Sequence, residues 1–211
     1  MSEEFPSNHP LDRFLLNGDV LHVADDGQML SPSTGRCPPV RVLLPGSFNP
    51  LLRGHWELAQ VAEQMIGAPA AFELSVANVD KPTLTRAEIH RRLMQFNWQA
   101  SVLLTHAAKF VEKAECFPGA MFVVGADTAL RIVSSRYYQD DEPSMLKALA
   151  RIRELECRFL VACRVDLRGQ CLGKSDLPIP AGFQDLFVEI PPVRFRWDVS
   201  STELRTRSRK P

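Results

Sequence analysis

Short apolar runs rich in branched residues recur along this chain and alternate with stretches of helical periodicity. Such runs are typical of strands that are buried on both faces of a parallel sheet. Strands that alternate with helices predict an α/β fold, a doubly wound and mostly parallel sheet with right-handed crossovers. The predicted strands cover residues 40–44, 72–76, 102–105, 120–124, 159–163, 186–190 and 195–199, and the clearest helical patterns begin at Gly54, Thr85 and Met145.

The segment Gly46-Ser47-Phe48-Asn49-Pro50 joins the first of these strands to a helix that begins with Gly54-His55. The start of a helix presents unpaired backbone N–H groups and a partial positive charge, which stabilise an anion. Glycine lacks the Cβ that would keep a phosphate away from the backbone. The segment therefore predicts half of a nucleotide triphosphate site. A turn whose glycines only relieve backbone strain explains the same residues equally well.

Two more strands end in polar segments. Gly125-Ala126-Asp127-Thr128 follows residues 120–124, and Ser200-Ser201-Thr202-Glu203-Leu204-Arg205 follows residues 195–199. Open α/β sheets bind ligands at the carboxyl ends of their strands. Three such ends therefore predict one shared binding crevice. Ser200 and Glu203 also form a capping-box pattern, a role that is compatible with phosphate binding.

Taken in order, these three segments resemble the nucleotidyltransferase superfamily with (H/T)xGH and ISSTxIR motifs. The match is closest to its nicotinamide mononucleotide adenylyltransferase-like, cytidylyltransferase-like group, and it covers residues 40–205. The segment Asn78-Val79-Asp80-Lys81-Pro82 is similar to an adenylyltransferase-like domain of plants and fungi, in plants joined to a CinA-type domain. The resemblance implies a Rossmann-like nucleotidyltransferase fold.

The resemblance also implies a reaction, in which a mononucleotide phosphate attacks the α-phosphorus of ATP in line, with Mg²⁺, and pyrophosphate leaves. Such chemistry depends on positioning and charge neutralisation. The partners are then a nucleoside triphosphate and a phosphorylated small-molecule acceptor. The implied catalytic residues are His55 and Arg205, and the implied substrate-binding residues are Lys81 and His106. The implied ATP-binding residues are Gly46, Ser47, Phe48, Gly54, His55, Gly125, Asp127, Ser201, Thr202 and Arg205. No protein metal ligand is implied.

One position departs from the family pattern. Leu52 stands where the family has His or Thr, and leucine donates nothing to a phosphate. Loss of one such donor costs on the order of a hundredfold in rate. Three functions stay open: adenylyl transfer to nicotinamide or nicotinate mononucleotide, cytidylyl or adenylyl transfer to another phosphorylated small molecule, and nucleotide binding with little transfer.

Composition bounds the remaining possibilities. The chain has 211 residues, of which 45% are hydrophobic, enough for one well-buried core. Its 25 basic and 25 acidic residues cancel, so nucleic acid is not an expected partner. None of the five cysteines forms a Cys-x-x-Cys pair, which indicates neither a zinc site nor a redox motif. With no apolar run long enough for a membrane span and no signal peptide, we expect a cytoplasmic protein.

The first 39 residues differ from the rest, since they are acidic and punctuated by prolines. We expect residues 1–39 to form a partly ordered appendage and residues 40–211 to form the nucleotidyltransferase domain. Asp25-Asp26-Gly27 predicts a hairpin turn within the appendage, which could cover the edge of the sheet or recruit a partner. Trp98, at the end of the helix that begins near Thr85, is predicted to lie in the core.

Overall fold

The structure is a computed structural model, and it describes residues 9–17, 20–31, 39–77, 82–165 and 170–197. Its helices are α1 (Pro10–Asn17), α2 (Arg53–Ile66), α3 (Arg86–Leu93), α4 (Phe110–Cys116), α5 (Ala126–Ile132) and α6 (Glu142–Glu154). Its strands are β1 (Val20–Val23), β2 (Met29–Leu30), β3 (Val42–Pro45), β4 (Ala70–Ser75), β5 (Val102–Thr105), β6 (Met121–Gly125), β7 (Arg158–Val165), β8 (Cys171–Leu172), β9 (Phe187–Ile190) and β10 (Arg196–Trp197).

The central part of the sheet is parallel, with the strand order β5-β4-β3-β6-β7-β9. Numbered in chain order from β3, this order is 3-2-1-4-5-6, which is the doubly wound arrangement of dinucleotide-binding folds. The predicted fold class is therefore confirmed. The strand order reverses between β3 and β6, and ligands of such sheets bind at the carboxyl ends of the strands at this switch point.

Helices cover both faces of the sheet and enclose two hydrophobic clusters. Side chains of successive strand residues point to opposite faces, so Val42 and Leu44 of β3 join one cluster and Leu43 joins the other. Buried residues of α1, α2 and α3 belong to the first cluster, and those of α4, α5 and α6 belong to the second. This two-sided burial explains why the strands read as continuous apolar runs.

The N-terminal segment adds strands to the edge of the sheet. The predicted hairpin turn is confirmed, because β1 and β2 pair in antiparallel fashion around Gly27, which has a φ of 82°. β1 also pairs with β5 in antiparallel fashion, so the hairpin covers that edge. The prediction that Trp98 lies in the core is wrong, because its side chain is 48% exposed. Its ring packs against Gly27 at the turn of the hairpin.

Most of the other local predictions are close to the structure. The Thr85 side chain accepts a hydrogen bond from the N–H of Glu88 at 3.3 Å, so Thr85 caps α3 as its sequence pattern predicts. The segment between β7 and β9 contains the short strand β8, and a disulfide joins Cys171 of β8 to Cys163 of β7. Within the described residues, no helix combines the length and apolarity that crossing a bilayer requires.

Candidate functional site

A cavity of about 270 Å³, which we call the crevice, opens at the carboxyl ends of β3 and β4. It lies beside the switch point of the sheet, between the loop that follows β3 and the helix that follows β6. Its walls come from five parts of the chain: the loop after β3 (Gly46, Ser47, Asn49), β4 and the residues after it (Glu73, Ser75, Ala77), α3 (Arg92), α4 (Phe110, Lys113) and α5 (Thr128, Arg131). The fold thus brings together polar residues that are far apart in sequence.

The loop that follows β3 is held in place by the end of α3 and the turn after it. Arg92 donates from Nη1 to the carbonyl of Ser47 at 2.8 Å. The Gln95 amide donates to the carbonyl of Phe48 at 2.8 Å and accepts from the N–H of Leu51 at 2.9 Å. Side chains from a packed element therefore satisfy the hydrogen-bonding capacity of these backbone atoms of the loop. The loop is therefore preorganised before any ligand arrives.

Phe48 fixes the same loop from inside the core. Its backbone has a φ of 43°, and its ring is 1% exposed, in edge contact with the rings of Phe72 and Phe96. A Cβ added to Gly46 would lie 2.6 Å from the Phe48 ring. The glycine therefore has a packing reason of its own, which differs from the relief of backbone strain that the sequence left open as an alternative. The predicted contact of Phe48 with ATP stays a prediction, and its side chain faces the core.

Gly46→Ala is expected to lower the free energy of unfolding by about 1–3 kcal/mol, because the new methyl group overpacks against the Phe48 ring. Urea denaturation of the purified protein measures the change. Gly125→Ala is the matched control, since its Cβ would meet no atom within 4 Å and its φ of −76° suits alanine. Equal stability of the two variants would contradict the packing role of Gly46.

His55 lies in the first turn of α2 and is 8% exposed. Its Nδ1 accepts a hydrogen bond from the backbone N–H of Leu52 at 2.8 Å, and its ring meets the Phe48 ring edge-on at 5.3 Å. Burial lowers the pKa of His55 from 6.5 to about 4, so the imidazole is neutral at pH 7. Because Nδ1 accepts, Nε2 carries the ring proton. His55 is not among the residues that line the crevice; it lies behind the loop.

His55 is expected to make the protein less stable in mild acid. Its pKa is about 4 in the folded protein and 6.5 in the unfolded chain, so the unfolded chain binds the proton more tightly. Its contribution is present above pH 6.5 and is lost as the pH falls from 6.5 to 4, by about 3 kcal/mol in total. Denaturation of the wild type and of His55→Asn across this range measures it. Parallel pH profiles for the two proteins would contradict the shift.

Three basic side chains line the crevice, and the sequence analysis missed all three. Arg92 pairs with Glu88 at 2.7 Å, and Lys113 pairs with Glu73 at 2.7 Å. Arg131 forms no ion pair with any described residue; its guanidinium carbon lies 5.7 Å from the centroid of the Tyr137 ring. The crevice therefore offers one guanidinium whose charge the described part of the chain does not neutralise, and this charge favours an anionic ligand.

The ion pair between Glu73 and Lys113 lies at the floor of the crevice. Glu73 is 0% exposed and Lys113 is 5% exposed. Thr105 donates its hydroxyl to Glu73 Oε1 at 2.5 Å, and Lys113 donates to the same oxygen at 2.7 Å and to the Ala107 carbonyl at 2.8 Å. One sequence signal for this cluster existed, since Glu73 is the single charged residue of β4.

The remaining predicted residues lie around the crevice. Gly125 precedes α5, and the carboxylate of Asp127, in the first turn of α5, pairs with Arg164 of β7. Gly54 is in the first turn of α2. His106 follows β5, and its Nε2 is 3.1 Å from the carbonyl of Phe14, within hydrogen-bond distance. Neither Asp127 nor His106 is among the residues that line the crevice.

Four predicted residues lie outside the described part of the chain: Lys81, Ser201, Thr202 and Arg205. Ala77 and Pro82, on either side of the segment that contains Lys81, both line the crevice. β10 runs parallel to β7 and ends at Trp197, so its carboxyl end lies at the edge of the sheet where the other parallel strands end.

Similarity to known proteins is found among solved structures. No protein-family model matches this chain, and no curated protein matches it. Among solved structures, the chain is similar to Plasmodium falciparum nicotinic acid mononucleotide adenylyltransferase complexed with NaAD, with 17% sequence identity and a TM-score of 0.44. The alignment covers 80% of this chain and 83% of that one. The strand order of the sheet itself shows the doubly wound fold.

Proposed function

We propose that this protein is a nucleotidyltransferase that transfers AMP from ATP to the phosphate of a mononucleotide, nicotinamide or nicotinate mononucleotide, and releases pyrophosphate. The observation that carries the proposal is the crevice at the switch point of the sheet. It places Gly46 and Ser47, after β3, opposite Thr128 and Arg131, after β6. Doubly wound sheets bind nucleotides at this location.

The crevice suits the acceptor mononucleotide. Its volume of about 270 Å³ lies just below the usual range for small-molecule sites, which begins at about 300 Å³. A guanidinium binds phosphate through paired, charge-assisted hydrogen bonds, and Arg131 is available for them. Thr128 lies three residues before Arg131 and therefore on the same face of α5, where its hydroxyl can bond the same phosphate.

We place the triphosphate beside the acceptor, against the start of α2. His55 supports this position, because its neutral ring keeps a proton on Nε2 while Nδ1 accepts from Leu52. In this arrangement Gly46, Ser47 and Gly54 allow the phosphates to approach the backbone, and Gly125 and Asp127 contact the ribose. Lys81 adds positive charge on the acceptor side, and Ser201, Thr202 and Arg205 complete the triphosphate site.

In the proposed reaction, an oxygen of the acceptor phosphate forms a bond to the α-phosphorus of ATP as the bond from that phosphorus to the pyrophosphate oxygen breaks. No protein nucleophile is required. The protein contributes alignment of the two nucleotides and hydrogen bonds to the negative charge that shifts onto the leaving group. His55 and Arg205 have this role in the proposal.

We propose that Mg²⁺ enters with the triphosphate, since Mg²⁺ is usually held by substrate phosphates together with one or two carboxylates. When bound, it neutralises charge on the phosphates. Among the described residues, no group of three His, Cys, Asp or Glu side chains is placed to hold a metal ion. Asp127, the carboxylate nearest the proposed ribose site, is paired with Arg164.

Incubation with Mg²⁺, each nucleoside triphosphate in turn and a panel of phosphorylated acceptors tests the proposal. We expect pyrophosphate and a dinucleotide with ATP and a pyridine mononucleotide. Preference for CTP would support the cytidylyltransferase alternative, and products from another phosphorylated acceptor alone would replace the proposed acceptor. Release of inorganic phosphate without a dinucleotide would indicate a hydrolase.

Leu52 favours a second candidate, a nucleotide-binding protein with little transferase activity. Its side chain offers no donor, and its backbone N–H is already bonded to His55. If ATP binds without yielding pyrophosphate and Leu52→His gains turnover, the second candidate is correct for the natural sequence. Turnover by the natural sequence at rates of about 1 s⁻¹ or more would exclude it.

A further inference from the structure

The buried pair of Glu73 and Lys113 has unused hydrogen-bonding capacity. Both donors that reach the carboxylate, from Thr105 and Lys113, go to Oε1, and Oε2 is buried with no hydrogen-bond partner among the described residues. An ammonium group has three N–H donors. Lys113 gives one to Glu73 and one to Ala107. Within the described chain, this leaves one acceptor on Glu73 and one donor on Lys113 without a partner, and both residues line the crevice.

Such an arrangement would lower the stability of the fold if the only role of the pair were packing. Two charges taken out of water lose hydration, and apolar residues of similar volume often stabilise a protein equally well. An acceptor left unsatisfied adds to that cost. Ala71, on the same face of β4, and Leu103, which lies opposite Glu73 on β5, are buried hydrophobics, so this face of the sheet does not require a charge here.

We infer that Glu73 and Lys113 recognise the acceptor, and that they select one with a neutral amide edge over one with a carboxylate. An amide presents an N–H and a C=O side by side, the complement of Glu73 Oε2 and the remaining N–H of Lys113. A carboxylate presents acceptors alone and puts a second negative charge beside Glu73. The inference rests on the proposed function, because it takes the crevice as the acceptor side of that reaction, and it narrows the acceptor to the nicotinamide form.

The test is calorimetric binding of nicotinamide mononucleotide and nicotinate mononucleotide to the full chain without ATP. We expect the amide to bind at least about tenfold more tightly than the acid. Glu73→Gln leaves the ammonium of Lys113 without its counter-charge, which favours a carboxylate, so the preference should fall by about tenfold or reverse. Glu154→Gln is the matched control: it removes the carboxylate that pairs with Arg151 on α6, neither residue lines the crevice, and the variant should leave the ratio of the two affinities unchanged.

A structural role of the pair predicts a different pattern. The double variant Glu73→Leu with Lys113→Met removes both charges together. No buried charge is then left without its partner, so this variant remains folded even if a single variant does not. Loss of the preference for the amide in this variant supports the inference. If the double variant folds and keeps the wild-type affinity ratio, the pair is structural and the inference is overturned.

Turnover separates this inference from the proposed function. If the wild type binds the amide preferentially but forms no pyrophosphate with ATP, the recognition role holds and the transferase proposal fails. If pyrophosphate forms and Glu73→Gln leaves the affinity ratio unchanged, the transferase proposal holds and the inference is overturned. Failure of the wild type to bind the amide more tightly than the acid also overturns it.

Discussion

Lys113→Met is expected to lower the free energy of unfolding by about 3–5 kcal/mol, because it leaves the carboxylate of Glu73 buried without its counter-charge. Thr105 donates one hydrogen bond to that carboxylate, which does not replace an ammonium 2.7 Å away. For a chain of this length, the loss corresponds to a fall in melting temperature of roughly 6–20 °C. Urea and thermal denaturation of the purified variant measure it.

Two further variants distinguish this explanation from a general effect of losing a lysine. Lys109→Met removes an exposed lysine four residues earlier, just before α4, and should change stability by less than about 0.5 kcal/mol. Adding Glu73→Leu to Lys113→Met should recover most of the lost stability, since the unpaired charge is then gone. A Lys113→Met protein as stable as the wild type would show that the pair contributes nothing.

His55→Ala is expected to lower kcat by about a hundredfold or more in the proposed transfer reaction. The reason is the loss of a preorganised donor to the negative charge that develops on the leaving pyrophosphate. Steady-state kinetics with ATP and the acceptor measure the change. His90→Ala, which removes an exposed histidine from α3, is the matched control and should leave kcat unchanged.

The structural role of His55 requires a control of its own, because its Nδ1 accepts from the backbone of Leu52. Asparagine has a carbonyl oxygen that can accept the same hydrogen bond but lacks the imidazole. If His55 only fixes the start of α2, His55→Asn should retain most of the turnover. If His55 donates a hydrogen bond during transfer, both His55→Ala and His55→Asn should lose most of the turnover. Turnover close to that of the wild type in His55→Ala would exclude this role.

The fold could be predicted from sequence because its determinants are local. Strand β5 occupies residues 102–105 as predicted, since an apolar run between polar residues marks a strand buried on both faces. The start of a helix at Thr85 was predictable for the same reason, because the capping side chain and the backbone N–H that it bonds lie only three residues apart. The segments after β3 and β6, which the sequence singles out, both contribute to the walls of the crevice, through Gly46, Ser47 and Thr128.

The polar contacts of the site could not be predicted in the same way, because they join residues that are far apart in sequence. Lys113 reaches Glu73 across 40 positions, and Arg92 reaches the Ser47 carbonyl across 45. Asp127 meets Arg164 only because β6 and β7 are neighbours in the sheet. The position of the Phe48 ring over Gly46 depends on a backbone turn with positive φ, which the sequence of the loop does not specify.

The most direct test of the account is a crystal structure of the protein with a pyridine mononucleotide and a non-hydrolysable ATP analogue. The account predicts the phosphate of the mononucleotide at Thr128 and Arg131, its base toward Glu73 and Lys113, and the triphosphate against the first turn of α2 beside His55. Nucleotides bound at another part of the sheet, or a mononucleotide whose phosphate lies away from Arg131, would contradict it.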